Sequence, residues 1–146
     1  MRPEIEKTML AAGVDPPDNI KLLLSSVPSG SLVLDLNGGV GLIAEYLSKN
    51  GCQVTLTDGN RLSFSYRKAL VPNSNVKFWN IESVNIKLNK PSYDYVVCRS
   101  TGDYSLAFKL AKKAVILTYE ERVVNVVNNE SNAAQDTKTD GPTKSN

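Results

Sequence analysis

Histidine is absent from all 146 residues. This removes the side chain most often used as a general base near neutral pH and the commonest metal ligand. Cysteine occurs only at Cys52 and Cys98, both in strand-like surroundings, so neither a disulfide framework nor a thiolate metal cluster is expected. No metal site is expected from scattered acids either. Two reduced thiols fit a soluble, cytoplasmic protein. No stretch of about 20 apolar residues or signal-like segment occurs, so no membrane role is expected. Charge of one sign is also scarce: 17 basic against 15 acidic residues leave +2, too little to select nucleic acid as a partner. Several of the acids lie near the C-terminus, so the body is mildly basic and permits an anionic partner without requiring one.

What is present is a regular alternation of apolar runs and helical patterns. At 3–10, Ile5, Met9 and Leu10 follow early acids and precede Gly13, which predicts a first helix. Asp18 is placed to cap a second, carrying Ile20, Leu22, Leu23 and Leu24. Both are expected to cover the sheet that follows. Strands are predicted at 32–36, 53–58, 76–81, 93–98 and 114–118, the last prolonged through Val123 and Val124. Between them, helices are predicted after Gly41, at 61–70 with Leu62, Tyr66 and Leu70 along one side, and at 103–112. The expected fold is therefore α/β: a doubly wound, mostly parallel sheet of about five strands with helices on both faces. Residues 1–30 form the N-terminal helices, 31–125 the core, and 126–146 a polar tail. From 128 onward only Ala133 and Ala134 are apolar, a composition expected to be disordered because it cannot offset its ordering entropy.

The chemistry concentrates where the first strand meets its turn, in the run LVLDLNGGVG at 32–41. Gly39 and Gly41 allow backbone to approach a ligand and the next helix to pack closely, while Asn37 tolerates a left-handed conformation. Such a turn also serves simply to reverse the chain. Asp58, at the end of the second strand, lies beside this turn in a doubly wound sheet and can accept hydrogen bonds from ribose hydroxyls. It reads equally as a turn or cap residue, since Asp-Gly-Asn is turn-forming. Asp35 is an acid inside a buried strand, which is costly without a partner. Gly39-x-Gly41-x-x-Ala44 satisfies a dinucleotide fingerprint, but Asp35 has no place in that pattern. A nicotinamide module is the third-ranked reading.

The run VLDLNGGVG resembles the first motif of class I S-adenosylmethionine-dependent methyltransferases, an aspartate-ended strand followed by alternating glycines. Asp58 falls where that family places its ribose-binding acid. VKFWNIE at 76–82 and YDYVVC at 93–98 are similar to its third and fourth strands. The resemblance covers about 18–118. It implies a Rossmann-like fold and S-adenosylmethionine as cofactor. It further implies that Asp35, Asn37 and Gly39 face the methionine part, with Gly41 in the same turn. Asp58 would hold the ribose, Gly59 and Asn60 would flank the adenine, and Ile81 with Glu82 would meet its edge. Glu82 reads equally well as a solvated loop acid.

Two departures carry weight. Asn37 replaces the first glycine, and the segment 99–104 lacks both the Asn/Asp-Pro-Pro-aromatic motif and the Pro-Cys pair known from nucleic-acid methyltransferases. Cys98 is expected to pack in the sheet. Asp103, Glu120 and Glu121 are the acids available as a base, so the catalytic residues are unassigned. Methyltransferases of this class add a C-terminal hairpin, and only about ten strand-compatible residues follow strand five here. The expected activity is methyl transfer to an acceptor that the sequence does not select among nucleic acid, protein and small molecule. N-terminal helices, the 99–104 loop or a partner chain would hold it. The alternative is a methyltransferase-like binding or regulatory subunit without activity.

Overall fold

A computed structural model describes residues 2–127. The polar tail expected to be disordered lies outside the described residues from 128 onward.

Six strands form one sheet in the order β3-β2-β1-β4-β5-β6: β1 (Leu32–Leu36), β2 (Gln53–Thr57), β3 (Lys77–Trp79), β4 (Tyr93–Cys98), β5 (Ala111–Leu117) and β6 (Arg122–Asn125). The first five are mutually parallel, and β6 runs antiparallel to β5. The chain order reverses between β1 and β4: the chain runs outward from β1 to β2 and β3 on one side, and the crossover after β3 returns past β1 to β4 on the other. Ligands of open α/β sheets bind in the crevice at the carboxyl ends of strands at such a point.

Period-two alternation distributes β1 between two cores. Val33 joins Val54, Leu56, Val97 and Ile116 under α3 (Leu42–Lys49), which contributes Ile43 and Leu47. Leu34 and Leu36 face the other way, with Val96, Val115 and Leu117, against Ala107 and Leu110 of α5 (Tyr104–Leu110). Asp35 therefore shares the face of Val33. Arg99, two residues beyond Val97, continues that same face past the end of β4.

Several elements differ from the sequence reading. Asp18 does not cap α2 (Asp18–Leu24): Pro17 occupies the N-cap, and Asp18 pairs with Lys21 at 3.5 Å instead. Of the two N-terminal helices, α2 and the turn after it supply Leu24 and Val27 to the core under the sheet. By contrast, α1 (Pro3–Ala12) sets Leu10 against Val40 and Leu42, where the glycine turn enters α3. In α4 (Arg61–Leu70) the apolar stripe is not the inner face. Leu62 and Tyr66 are exposed, and Ser63 and Arg67 are buried, because α4 packs on the polar glycine turn. The fifth strand begins at Ala111, directly after α5. It is not prolonged through Val123 and Val124, since a turn with Glu121 at φ 53° reverses the chain and makes those valines part of β6. Val126 extends this pairing, its N–H donating to the Lys113 carbonyl at 2.8 Å.

Candidate functional site

The site begins with a strand that cannot continue. After Leu36 the chain enters the left-handed region at Asn37 (φ 54°) and again at Gly39 and Gly41 before α3 starts. Gly38 is required for a different reason: a Cβ there would overlap Leu56 and the Asp35 carboxylate. Three hydrogen bonds to Thr57 and Asp58 fix the turn. The Asn37 N–H donates to Thr57 Oγ1 at 3.1 Å, the Gly38 N–H to the Thr57 carbonyl at 2.9 Å, and the Gly39 N–H to Asp58 Oδ2 at 2.8 Å.

Asp58 thus acts on both loops. Its Oδ1 accepts from the Asn60 N–H at 2.9 Å and from Ser63 Oγ at 3.4 Å, while the cap of α4 is Asn60, whose side chain accepts the Leu62 N–H at 2.9 Å. A carboxylate offers roughly four acceptor sites. One is left over, and a second is freed when the long Ser63 contact turns away.

Two adjoining hollows, of about 370 and 530 Å³, share Asn37, Asp58 and Asn60 and form one groove along the strand ends. Gly39 and Arg99 line the first, beneath Glu6 of α1; Gly59 and Glu82 line the second. The structure thereby brings together six of the residues singled out in the sequence: Asn37, Gly39, Asp58, Gly59, Asn60 and Glu82. Three others lie elsewhere. Gly41 lines neither hollow, and a Cβ on it would strike Arg67 and Leu56. Ile81 packs with the second core. Asp35 is 0% exposed and sits beneath the turn.

Beneath the groove is a buried charge cluster. Arg99 Nη1 donates to Glu6 Oε2 at 2.5 Å, and Arg99 Nε stands 3.7 Å from Asp35 Oδ1, too long for a hydrogen bond. Both Asp35 oxygens and Arg99 Nε and Nη2 are buried without a hydrogen-bond partner. Burial raises the Asp35 carboxyl to about 6, the Arg99 guanidinium opposing the rise. Burial works against the charge on Arg99 too, but Asp35 and Glu6 together hold its pKa above the ordinary value.

The acids considered as a base are engaged. Asp103 is buried and accepts from Asn37 Nδ2 at 2.8 Å, Glu120 accepts from Arg122 at 2.7 Å, and Glu121 accepts from Asn19 at 3.0 Å. Cys98 lies in the sheet core, its thiol pushed up by burial and donating to the Ser100 carbonyl at 3.1 Å. Among the described residues no group of histidine, cysteine and acidic side chains is arranged to hold a metal. No helix among them is long and apolar enough to cross a membrane.

Sequence reasoning missed Glu6, Arg67 and the individual part played by Arg99. A charged residue directly after a buried strand was a readable signal for Arg99; α1 carries none for Glu6.

The chain matches no protein-family model, and no curated protein matches it in sequence. Solved structures do match. A TehB-like S-adenosylmethionine-dependent methyltransferase from Corynebacterium glutamicum is 27% identical at a TM-score of 0.51, over 64% of this chain and 50% of that one. PH0226 from Pyrococcus horikoshii is 21% identical at 0.57, over 67% and 50%. The magnesium protoporphyrin IX methyltransferase of Synechocystis, solved with bound S-adenosylmethionine, is 18% identical at 0.53, over 76% and 57%. The chain thus spans between 50% and 57% of the length of these proteins.

Proposed function

We propose that this chain, which has the Rossmann-like fold of class I S-adenosylmethionine-dependent methyltransferases, binds S-adenosylmethionine in the groove and transfers its methyl group to an acceptor. One observation carries the reading: the turn after β1 and the acid after β2 meet at the point of strand-order reversal, joined by the Gly39–Asp58 hydrogen bond. The residues fit such a ligand. Asp58 keeps acceptor capacity at the centre of the groove, and a Cβ on Gly39 would meet nothing nearer than Glu6 at 3.6 Å, so backbone there is open to close approach.

In this reading Asn37 and Gly39 hold the methionine side, Asp58 the ribose, and Gly59, Asn60 and Glu82 the adenine side. Asp35 acts from below through Arg99, Gly41 admits Arg67 behind the turn, and Ile81 supports the adenine side from the core. S-adenosylmethionine supplies a methyl group on a sulfonium and so needs no activation by the protein. What the chain contributes is positioning of the two partners in line, consistent with the engagement of Asp103, Glu120 and Glu121 in other contacts. The acceptor, whether nucleic acid, protein or small molecule, would be held by α1 and the 99–104 loop, with a partner chain as a further contributor, in the cytoplasm. The alternative of an inactive binding subunit draws no support from the structural neighbours, several of which are methyltransferases.

Calorimetric titration with S-adenosylmethionine, S-adenosylhomocysteine and NAD tests the cofactor. Heat with both sulfur ligands, lost in Asp58→Ala, is the expected result. No heat with either sulfur ligand overturns the reading, and heat with NAD alone would replace it.

A further inference from the structure

The sheet ends differently on its two sides. One edge is β3, which is only three residues long and opens on Lys77, the short and charged kind of edge that resists further pairing. The other is β6, and from Val123 to Val127 it carries no charge and no proline, with its register to β5 unbroken. One bond fixes the backbone phase of this edge. The Val126 N–H reaches the Lys113 carbonyl directly opposite, so in an antiparallel pair the alternate residues Val124 and Arg122 also turn their backbone groups toward β5. Those of Val123 and Asn125 point away from the sheet, and no strand among the described residues receives them. Val127 follows in the same phase and is 69% exposed.

This outward row is self-complementary. Val-Val-Asn-Val-Val at 123–127 reads the same in both directions about Asn125, and a twofold axis generates an antiparallel pair of identical strands. We propose that β6 pairs with β6 of a second copy of this chain, antiparallel and centred on Asn125, joining the two six-stranded sheets into one. In that register Asn125 faces its own counterpart as a hydrogen-bonded pair, Val123 faces Val127, and Val124 faces Val126. Every valine then has a β-branched neighbour across the axis, which is a stabilising pair in a sheet. Moving the axis by one residue sets Val123 against Asn125 and Arg122 against Val126, and the match is lost. The faces agree too. Val123 packs on the core under α3, and Val124 and Val126 on the core against α5, so both cores continue across the axis. The chain's own remaining segment is a poor rival, since 128–146 holds no valine, isoleucine, leucine or aromatic residue. Pairing of so short an edge buries less than the roughly 1,200 Å² of a stable interface, which places the association in the micromolar range.

Sedimentation velocity of the full chain over roughly 1–500 μM tests the proposal, with a concentration-dependent dimer as the expected result. Because position 125 faces itself, Asn125→Lys and Asn125→Asp each set like charges opposite one another and are expected to weaken association roughly tenfold or more. An equal mixture of the two variants is expected to recover it, since lysine then faces aspartate. Recovery in the mixture also shows that both variants are folded, as does thermal unfolding that matches the unaltered chain at low concentration. A monomer throughout the range overturns the proposal, and would be the outcome if 128–146 or another protein covered the edge. A dimer that both charge variants leave intact, or a mixture of folded variants that stays monomeric, overturns it as well.

Discussion

Arg67 Nη1 donates to the carbonyl of Val40 at 2.8 Å, so a buried guanidinium on α4 holds the glycine turn from behind. Its Nη2 donates to Glu45 of α3 at 2.7 Å and to Ser74 at 3.1 Å, and the side chain fills the space that a Cβ on Gly41 would need. Removing it strands a mostly buried Glu45 carboxylate, whose side chain is 13% exposed. Breaking a buried pair by deleting one partner costs about 3–5 kcal/mol. Arg67→Ala is expected to destabilise by that order in urea unfolding. The change Arg67→Met with Glu45→Gln should recover much of the loss, because no charge is then left alone.

Gly41 is the other half of that contact. At φ 91° it adopts a conformation that other residues reach only with strain, and a Cβ would press on Arg67 Nη1. Gly41→Ala is therefore expected to cost about 2 kcal/mol or more, from the left-handed backbone and the displaced guanidinium together. Thermal unfolding checks this. A variant as stable as the unaltered chain would mean that Arg67 moves aside freely and does not fix the turn.

How much of this was legible depended on whether a residue's signal was local. The bounds of β1, β4 and α4 could be read because apolar runs and their breaking residues sit next to each other in sequence. The inner face of α4 could not: Leu62 is 63% exposed, and the stripe it heads borders the groove while Arg67 turns inward to a polar turn. Helical periodicity assumes one apolar face, whereas α4 divides its contacts: Phe64 stacks on Phe78 of β3, and Arg67 meets the polar turn. β6 escaped for another reason. Its reversal uses Glu121 at φ 53°, a residue without the glycine or asparagine that announces a left-handed turn. In the groove, Asn37, Gly39, Asp58 and Asn60 were found because they flank strand ends. Glu6 was not, since nothing in α1 indicates that it will cross to the end of β4.

Asn37 illustrates a departure with a structural purpose. A glycine there would relieve a left-handed φ of 54°, which asparagine already tolerates. It would also remove the Nδ2 hydrogen bond to the buried Asp103, a bond to a charged group worth about 1.5–3 kcal/mol. The second effect is larger. Asn37→Gly is expected to lower stability by about 1 kcal/mol, and Asn37→Ala by more, since it suffers both losses. Hydrogen exchange at 99–103 should quicken in both variants, and unchanged exchange would show that the bond does not anchor that loop.

Asp35 gives a pH dependence of definite sign. Its carboxyl is raised from 3.8 to about 6 in the folded chain, chiefly by burial. Between these values the native state holds a proton that the unfolded state has released, so stability falls as pH rises. The stabilising contribution of the protonated form is complete below the unfolded value and is lost as pH passes through about 6. At roughly 1.4 kcal/mol per unit, the loss amounts to about 3 kcal/mol by neutral pH. Asp35→Asn removes this slope while Arg99 keeps Glu6 as its partner. In paired urea titrations at pH 4 and pH 7.5, the stability of Asp35→Asn relative to the unaltered chain is expected to improve by about that amount at the higher pH. A constant difference between the two would mean that Asp35 stays ionised throughout, and that the Asp35–Arg99 pair compensates fully for its own burial.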